Sequence, residues 1–116
     1  MVLKLLKIGY MKPSKLKVAY NSNFGGWGLS ENVLKYLVEK KAISEEDIDN
    51  PFVFYEDKDR HNKILIEALE LYADENPDIE IIEIPGNTYF ITEYDGMEDV
   101  IYPGHPDFIV VEDEED

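Results

Sequence analysis

Between an apolar run and a helix-like pattern the chain reads Asn21-Ser22-Asn23-Phe24-Gly25-Gly26-Trp27-Gly28-Leu29-Ser30. A strand, a glycine turn and a helix start in that order gather free backbone amides and the positive end of a helix dipole at one point, where anions bind in many α/β proteins. Asn21, Ser22, Phe24, Gly25, Gly26, Trp27 and Ser30 are therefore candidate ligand-binding residues. Arg60 joins them because its planar fork matches a phosphate or carboxylate, and His61 lies beside it. No lysine precedes the serine, so the turn is not a Walker A loop, and Gly25-Gly26-x-Gly28 lacks the spacing of the dinucleotide fingerprint. Glycines also serve any turn that needs positive φ, Phe24 and Trp27 can lid a core, and Arg60 can pair internally with Glu93, Asp95 or Glu98. A ligand site, a protein contact and plain turn geometry all fit these residues.

Other chemistry finds less support. The chain has no cysteine, which removes thiolate catalysis and cysteine-held zinc, and its two histidines, His61 and His105, are far apart in sequence. Asp57-x-Asp59 begins like a calcium loop, but His61 and Asn62 stand where an oxygen ligand and a glycine are needed. Glu93, Asp95, Glu98 and Asp99 gather around one turn and could hold a divalent ion weakly or act as an acid/base pair, but read better as a solvated hairpin tip. Ser22 and Ser30 have no evident histidine partner. Neither a metal nor a cofactor is expected, and no catalytic residue is identified.

Charge narrows the partners. The 116 residues carry a net charge of −15. Lys4, Lys7, Lys12, Lys15 and Lys17 crowd into a start free of acids, whereas from Ile64 onward there are 17 acids and neither lysine nor arginine. Such a surface repels phosphate backbones, so nucleic acid is not an expected partner; the acids read either as a solvated face with a frayed tail or as a surface that occupies a basic protein. No apolar run approaches the length of a membrane span, so no membrane partner is expected and a cytoplasmic location fits. Exposed aromatics in a small protein leave a homodimer open.

The elements that must position these residues can be read from periodicity. Leu16 to Ser22 suits a strand. Ser30 is placed to cap a helix with the apolar stripe Val33, Leu34, Leu37 and Val38, and Leu29 with Leu34 is spaced as a hydrophobic staple. Ile43 to Asp47 reads as a capped single turn, and Phe52 to Tyr55 as extended. A second helix is expected from about Lys63 to Asp74, capped by Asp59 or Asn62 and stopped by Asn76-Pro77. Three strands follow, separated by the turn pairs Gly86-Asn87 and Asp95-Gly96. The expected fold is α/β (α+β): a two-layer sandwich with a mixed sheet of four to five strands, a C-terminal antiparallel meander, and two helices on one face. Residues 1–15 read as an N-terminal extension or added strand, 16–111 as a single domain and 112–116 as an acidic tail.

The pattern Asn21-Ser22-x-Phe24-Gly25-Gly26-Trp27-x-Leu29-Ser30, then Arg60, then Ile79 to Pro85 and Glu93-Tyr94-Asp95-Gly96-x-Glu98, resembles a family of short proteins encoded by tailed bacteriophages and large DNA viruses. The resemblance runs from about Leu16 to Tyr102 and implies a viral or prophage origin and a shared α/β fold, but no reaction. That family often has Asp-Pro where this chain has Asn62-Lys63, and it tends to begin near the first strand, which makes Met11 an alternative start. Three functions follow as expectations. The first is a non-catalytic viral accessory protein with a small anionic-ligand or nucleotide pocket. The second is an acidic module that blocks a basic host surface, with Phe24 and Trp27 as anchors. The third is a small hydrolase or transferase acting on a nucleotide-like substrate.

Overall fold

The computed structural model describes residues 15–105. The expected extension, apart from Lys15, and the acidic tail lie outside the described residues. Strand β1 (Lys15–Asn21) leads through the glycine turn into helix α1 (Glu31–Glu39). Short 3-10 turns at Glu45–Asp47 and Asp57–Asp59 precede helix α2 (Lys63–Leu71), and another, Ala73–Glu75, follows it. Strands β2 (Ile79–Pro85), β3 (Phe90–Tyr94) and β4 (Met97–Ile101) complete the order. The fold is α+β, the described residues forming two helices and two small antiparallel ladders, β1 with β2 and β3 with β4.

Both helices start where side chains satisfy the free amides of the first turn. Ser30 Oγ accepts from Val33 N at 3.4 Å, and Leu29 and Leu34, before and after that cap, are both buried. Of the two candidates for the second cap, Asn62 serves: its Oδ1 accepts from Ile64 N at 2.9 Å and Leu65 N at 3.1 Å. Helix α2 stops at Leu71, short of the expected Asp74, and the chain tightens into a 3-10 turn. Asn76 then ties the two helices together. Its Oδ1 accepts from Ser30 N at 3.0 Å, while its Nδ2 donates to Ser30 Oγ at 3.1 Å and Tyr72 O at 2.9 Å.

The expected single sheet with a three-strand meander does not form by backbone pairing among the described residues. β2 pairs with β1, in a register that sets Val18 opposite Ile82, and not with β3. Gly86-Asn87 is accordingly not a tight hairpin; the connection 86–89 carries the chain over to the second ladder. Asp95-Gly96 is one, with φ of 55° and 88° at its two residues, as the primed turn favoured by strand twist requires. Phe52 to Tyr55 is not extended either. It forms tight turns, with Tyr55 N donating to Phe52 O and Phe54 at φ 63°. At the expected capped turn after α1, Ser44 makes no capping hydrogen bond.

The β1–β2 ladder carries apolar side chains on both faces, which is why Ile79-Glu80-Ile81-Ile82-Glu83-Ile84 reads as a nearly continuous apolar run. Ala19 shares one core cluster with Leu37, Leu65 and Leu69 of the helices, and Ile79 and Ile81 pack against it. Val18 and Ile84 cluster instead with Val100 of the second ladder, flanked by Ile91 and by Tyr89 and Tyr102 at the ladder's ends. No helix among the described residues is long and apolar enough to cross a membrane.

Candidate functional site

The glycine turn, the Asp95-Gly96 hairpin tip and Arg60 converge at the end of β1. Gly25 and Gly26 adopt φ of 117° and 89°, a region in which a side chain is strained. Gly96 sits so close to them that a Cβ there would lie 2.8 Å from Gly26 N and 3.0 Å from Gly25 N. Asn21 locks this approach: its side-chain amide donates to Asn23 O and, at 2.8 Å, to Gly96 O. It is buried at 1% exposure.

Arg60 lies beneath the turn, also at 1% exposure. Its Nη1 and Nη2 reach Glu98 Oε1 and Oε2 at 2.7 and 2.8 Å, a bidentate pair, and Nε donates to the Phe54 and Tyr55 carbonyls. The guanidinium plane lies 3.9 Å from the Trp27 ring centre, a cation–π contact, and Trp27 Nε1 donates to Val53 O at 3.0 Å. Glu98 Oε1 additionally accepts from Asn21 N at 2.8 Å. Arg60 thus binds the chain's own carboxylate, from the group Glu93, Asp95 and Glu98 that sequence offered as internal partners.

Candidates from the sequence separate into two groups. Asn21, Gly25, Gly26, Trp27 and Arg60 come together. Phe24 stands beside them but faces solvent, at 54% exposure. Ser22 lies elsewhere, its hydroxyl 3.1 Å from Glu80 Oε2, and Ser30 is held by the helix cap and Asn76. His61 is turned to Tyr89: the phenol donates to Asp57 O and so accepts from His61 Nδ1–H, 2.9 Å away. Burial, followed by the Asp57 charge, raises the Tyr89 pKa. The hairpin acids also disperse, with Glu98 buried, Glu93 accepting from Tyr55 OH at 3.2 Å and Asp99 3.5 Å from His105 Nε2. The Glu93 charge, aided by that hydrogen bond, raises the Tyr55 pKa.

An open cleft of about 730 Å³ lies against this assembly, lined by Gly25, Gly26, Trp27, Phe52, Phe54 and Tyr55 and by the charged Glu56, Lys58 and Asp59. Phe52 and Tyr55 are exposed at 61% and 47%. Lys58 lies 3.3 Å from Asp59 and 3.6 Å from Glu56, so its charge is answered locally, and the hydrogen bond to Asp59 raises its pKa. Phe52, Phe54 and Tyr55 escaped the sequence reading because an extended segment would have alternated them between faces. The signal available was three aromatics within four residues after Asn50-Pro51.

At the start of α1, where an anion was expected, a smaller hollow of about 230 Å³ is lined by Asn21, Gly26, Ser30, Glu75, Asn76 and Asp78 among others, with no lysine or arginine. Carboxylates there oppose a second negative charge. Among the described residues no group of three histidine or acidic side chains is placed to hold a metal ion. No family model, no curated protein and no solved structure matches this chain.

Proposed function

We propose that this protein is a binding module whose recognition surface is the aromatic cleft over Trp27, and that it takes an apolar or aromatic side chain presented by a basic protein segment. One observation carries the reading: the aromatic cleft opens to solvent, its one lining cation, Lys58, is already paired with Glu56 and Asp59, and Arg60 beneath it is turned inward onto Glu98. A phosphate approaching the glycine turn meets carboxylates with no free guanidinium to offset them. A lysine- or arginine-bearing segment is drawn by the net charge of −15 and can bury an aromatic anchor against Phe52 and Tyr55. The resemblance to short phage and viral proteins supplies the setting, in which the partner is a host protein and binding blocks its basic surface. This departs from the small anionic ligand favoured by the glycine turn alone.

Trp27 is the single tryptophan and lines the cleft, so its fluorescence reports occupancy. A lysine-rich peptide containing phenylalanine should give a saturable change, lost in Phe52→Ser/Tyr55→Ser without loss of folding. The same peptide with glutamate for lysine should give none. Saturable quenching by inorganic phosphate or a nucleoside triphosphate, with no response to the basic peptide, would overturn the proposal and restore the anion reading.

A further inference from the structure

The outer edge of β2 carries backbone groups without a partner among the described residues. Ser22 N donates to Asp78 O, and antiparallel bonding alternates, so Tyr20, Val18 and Leu16 turn their backbone groups to β2 while Ala19 and Lys17 turn theirs away. On β2 the outward groups therefore belong to Ile81 and Glu83. On the far side of β1 much of that outward row is answered, Ala19 N by the Arg60 carbonyl, Ala19 O by Arg60 Nη1 and Asn21 N by Glu98. At β3, Asp57 accepts from Ile91 N at 3.0 Å. Ile81 and Glu83 have no such cover among the described residues, and an open edge of this kind is a template for another strand.

The chain contains a segment that fits it. Ile79-Glu80-Ile81-Ile82-Glu83-Ile84 and Leu3-Lys4-Leu5-Leu6-Lys7-Ile8 share one pattern, with lysine standing wherever the other has glutamate. We propose that residues 3–8 add to the free edge of β2 as a parallel strand, Lys4 beside Glu80 and Lys7 beside Glu83, making a mixed three-stranded sheet. Both segments are apolar on both faces, so each added residue continues the face its neighbour occupies. A second copy of β2 would set glutamates near glutamates in an already acidic protein; the lysine segment removes that repulsion.

Chain length selects the direction. Lys15 lies opposite Pro85, at the C-terminal end of β2. In the parallel arrangement Ile8 ends beside Ile84, and residues 9–14 need only cross two strand spacings, about 10 Å, within a reach of about 23 Å. The antiparallel arrangement leaves Ile8 beside Ile79, so the same residues would have to stretch almost taut, about 22 Å diagonally across the strands.

Amide hydrogen exchange on the full chain tests this. Ile81 and Glu83 amides should be protected, and Leu5→Pro should speed their exchange about tenfold or more while Glu80 and Ile82, bonded to β1, stay slow. Equal rates for Ile81 and Glu83 in both proteins would overturn the proposal. Lys7→Glu and Glu83→Lys should each lower the melting temperature and together restore it. Restoration by Lys4→Glu with Glu83→Lys instead would mean antiparallel pairing and overturn the register. Light scattering should give a monomer; a dimer that Leu5→Pro dissociates would place the segment on a second copy and overturn the intrachain strand.

Discussion

Arg60 and Glu98, 38 residues apart in sequence, meet as a bidentate ion pair almost sealed from solvent, with 1% and 3% of their side chains exposed. Three parts of the chain depend on it: the Phe54 and Tyr55 carbonyls through Nε, the end of β1 through Asn21 N, and Trp27 through its ring face. Removing one partner leaves a buried charge uncompensated. Glu98→Ala should therefore cost about 3–5 kcal/mol in urea unfolding. Arg60→Met with Glu98→Gln should lose less than the two single changes summed, by about 0.5–3 kcal/mol. Strict additivity would mean that the pair does not act as a unit.

The two glycine positions of the turn and the hairpin tip should respond differently. At Gly26 a Cβ meets nothing within 4 Å, so Gly26→Ala should cost only the backbone strain of φ 89°, about 1–2 kcal/mol. Gly96→Ala carries similar strain at φ 88° and also drives a methyl into the Gly26 and Gly25 amides, adding about 1–3 kcal/mol. Thermal melts of the two variants give the comparison, and a melting temperature for Gly96→Ala at or above that of Gly26→Ala would contradict the close approach.

Asn76 should matter more than its place in a loop suggests. Asn76→Ala strips an acceptor from Ser30 N and a donor from Tyr72 O, and should destabilise by about 1–3 kcal/mol. Ser30→Ala removes only the cap and its bond to Asn76, about 1 kcal/mol. Chemical denaturation of both variants checks the order.

Alkaline stability follows from four tyrosines whose pKa lies above the ordinary 10.0 in the folded protein. Burial is the first cause for Tyr20 and Tyr89, the hydrogen bond to Glu67 for Tyr36, and the Glu93 charge for Tyr55. A raised value favours the protonated phenol in the folded state, so this contribution is complete below pH 10 and is lost as pH climbs through the folded-state values. Absorbance titration should show these phenols ionising late, with the melting temperature falling over the same range. Unfolded-like titration of these four tyrosines in the folded protein would refute it.

What the sequence disclosed was local. Ser30, Asn62 and the Asp95-Gly96 turn act through neighbours a few residues away, and their types announce them. Pairing of β2 with β1 in place of β3 depends on contacts some sixty residues distant, as between Tyr20 and Glu80, which no turn signal encodes. At the candidate site an internal pairing of Arg60 with Glu93, Asp95 or Glu98 was legible as one alternative, but which of the three acids takes the guanidinium was not. That choice falls on Glu98, one acid among 26, distinguished only by the strand face it occupies. The aromatic cleft was hidden for a different reason. Phe54 at φ 63° is a conformation that its residue type disfavours and that the surrounding packing imposes.

The distance along the chain between Arg60 and Glu98 also sets a schedule. At about 5–20 residues per second, a ribosome delivers Glu98 roughly 2–8 s after Arg60. Until then the guanidinium lacks the carboxylate that neutralises it in the folded protein. β1, both helices and the glycine turn are all synthesised before the carboxylate that closes them together, so the last hairpin acts as a latch. Nascent chains halted ahead of that residue should remain open to protease at the glycine turn, and those released just beyond it should resist.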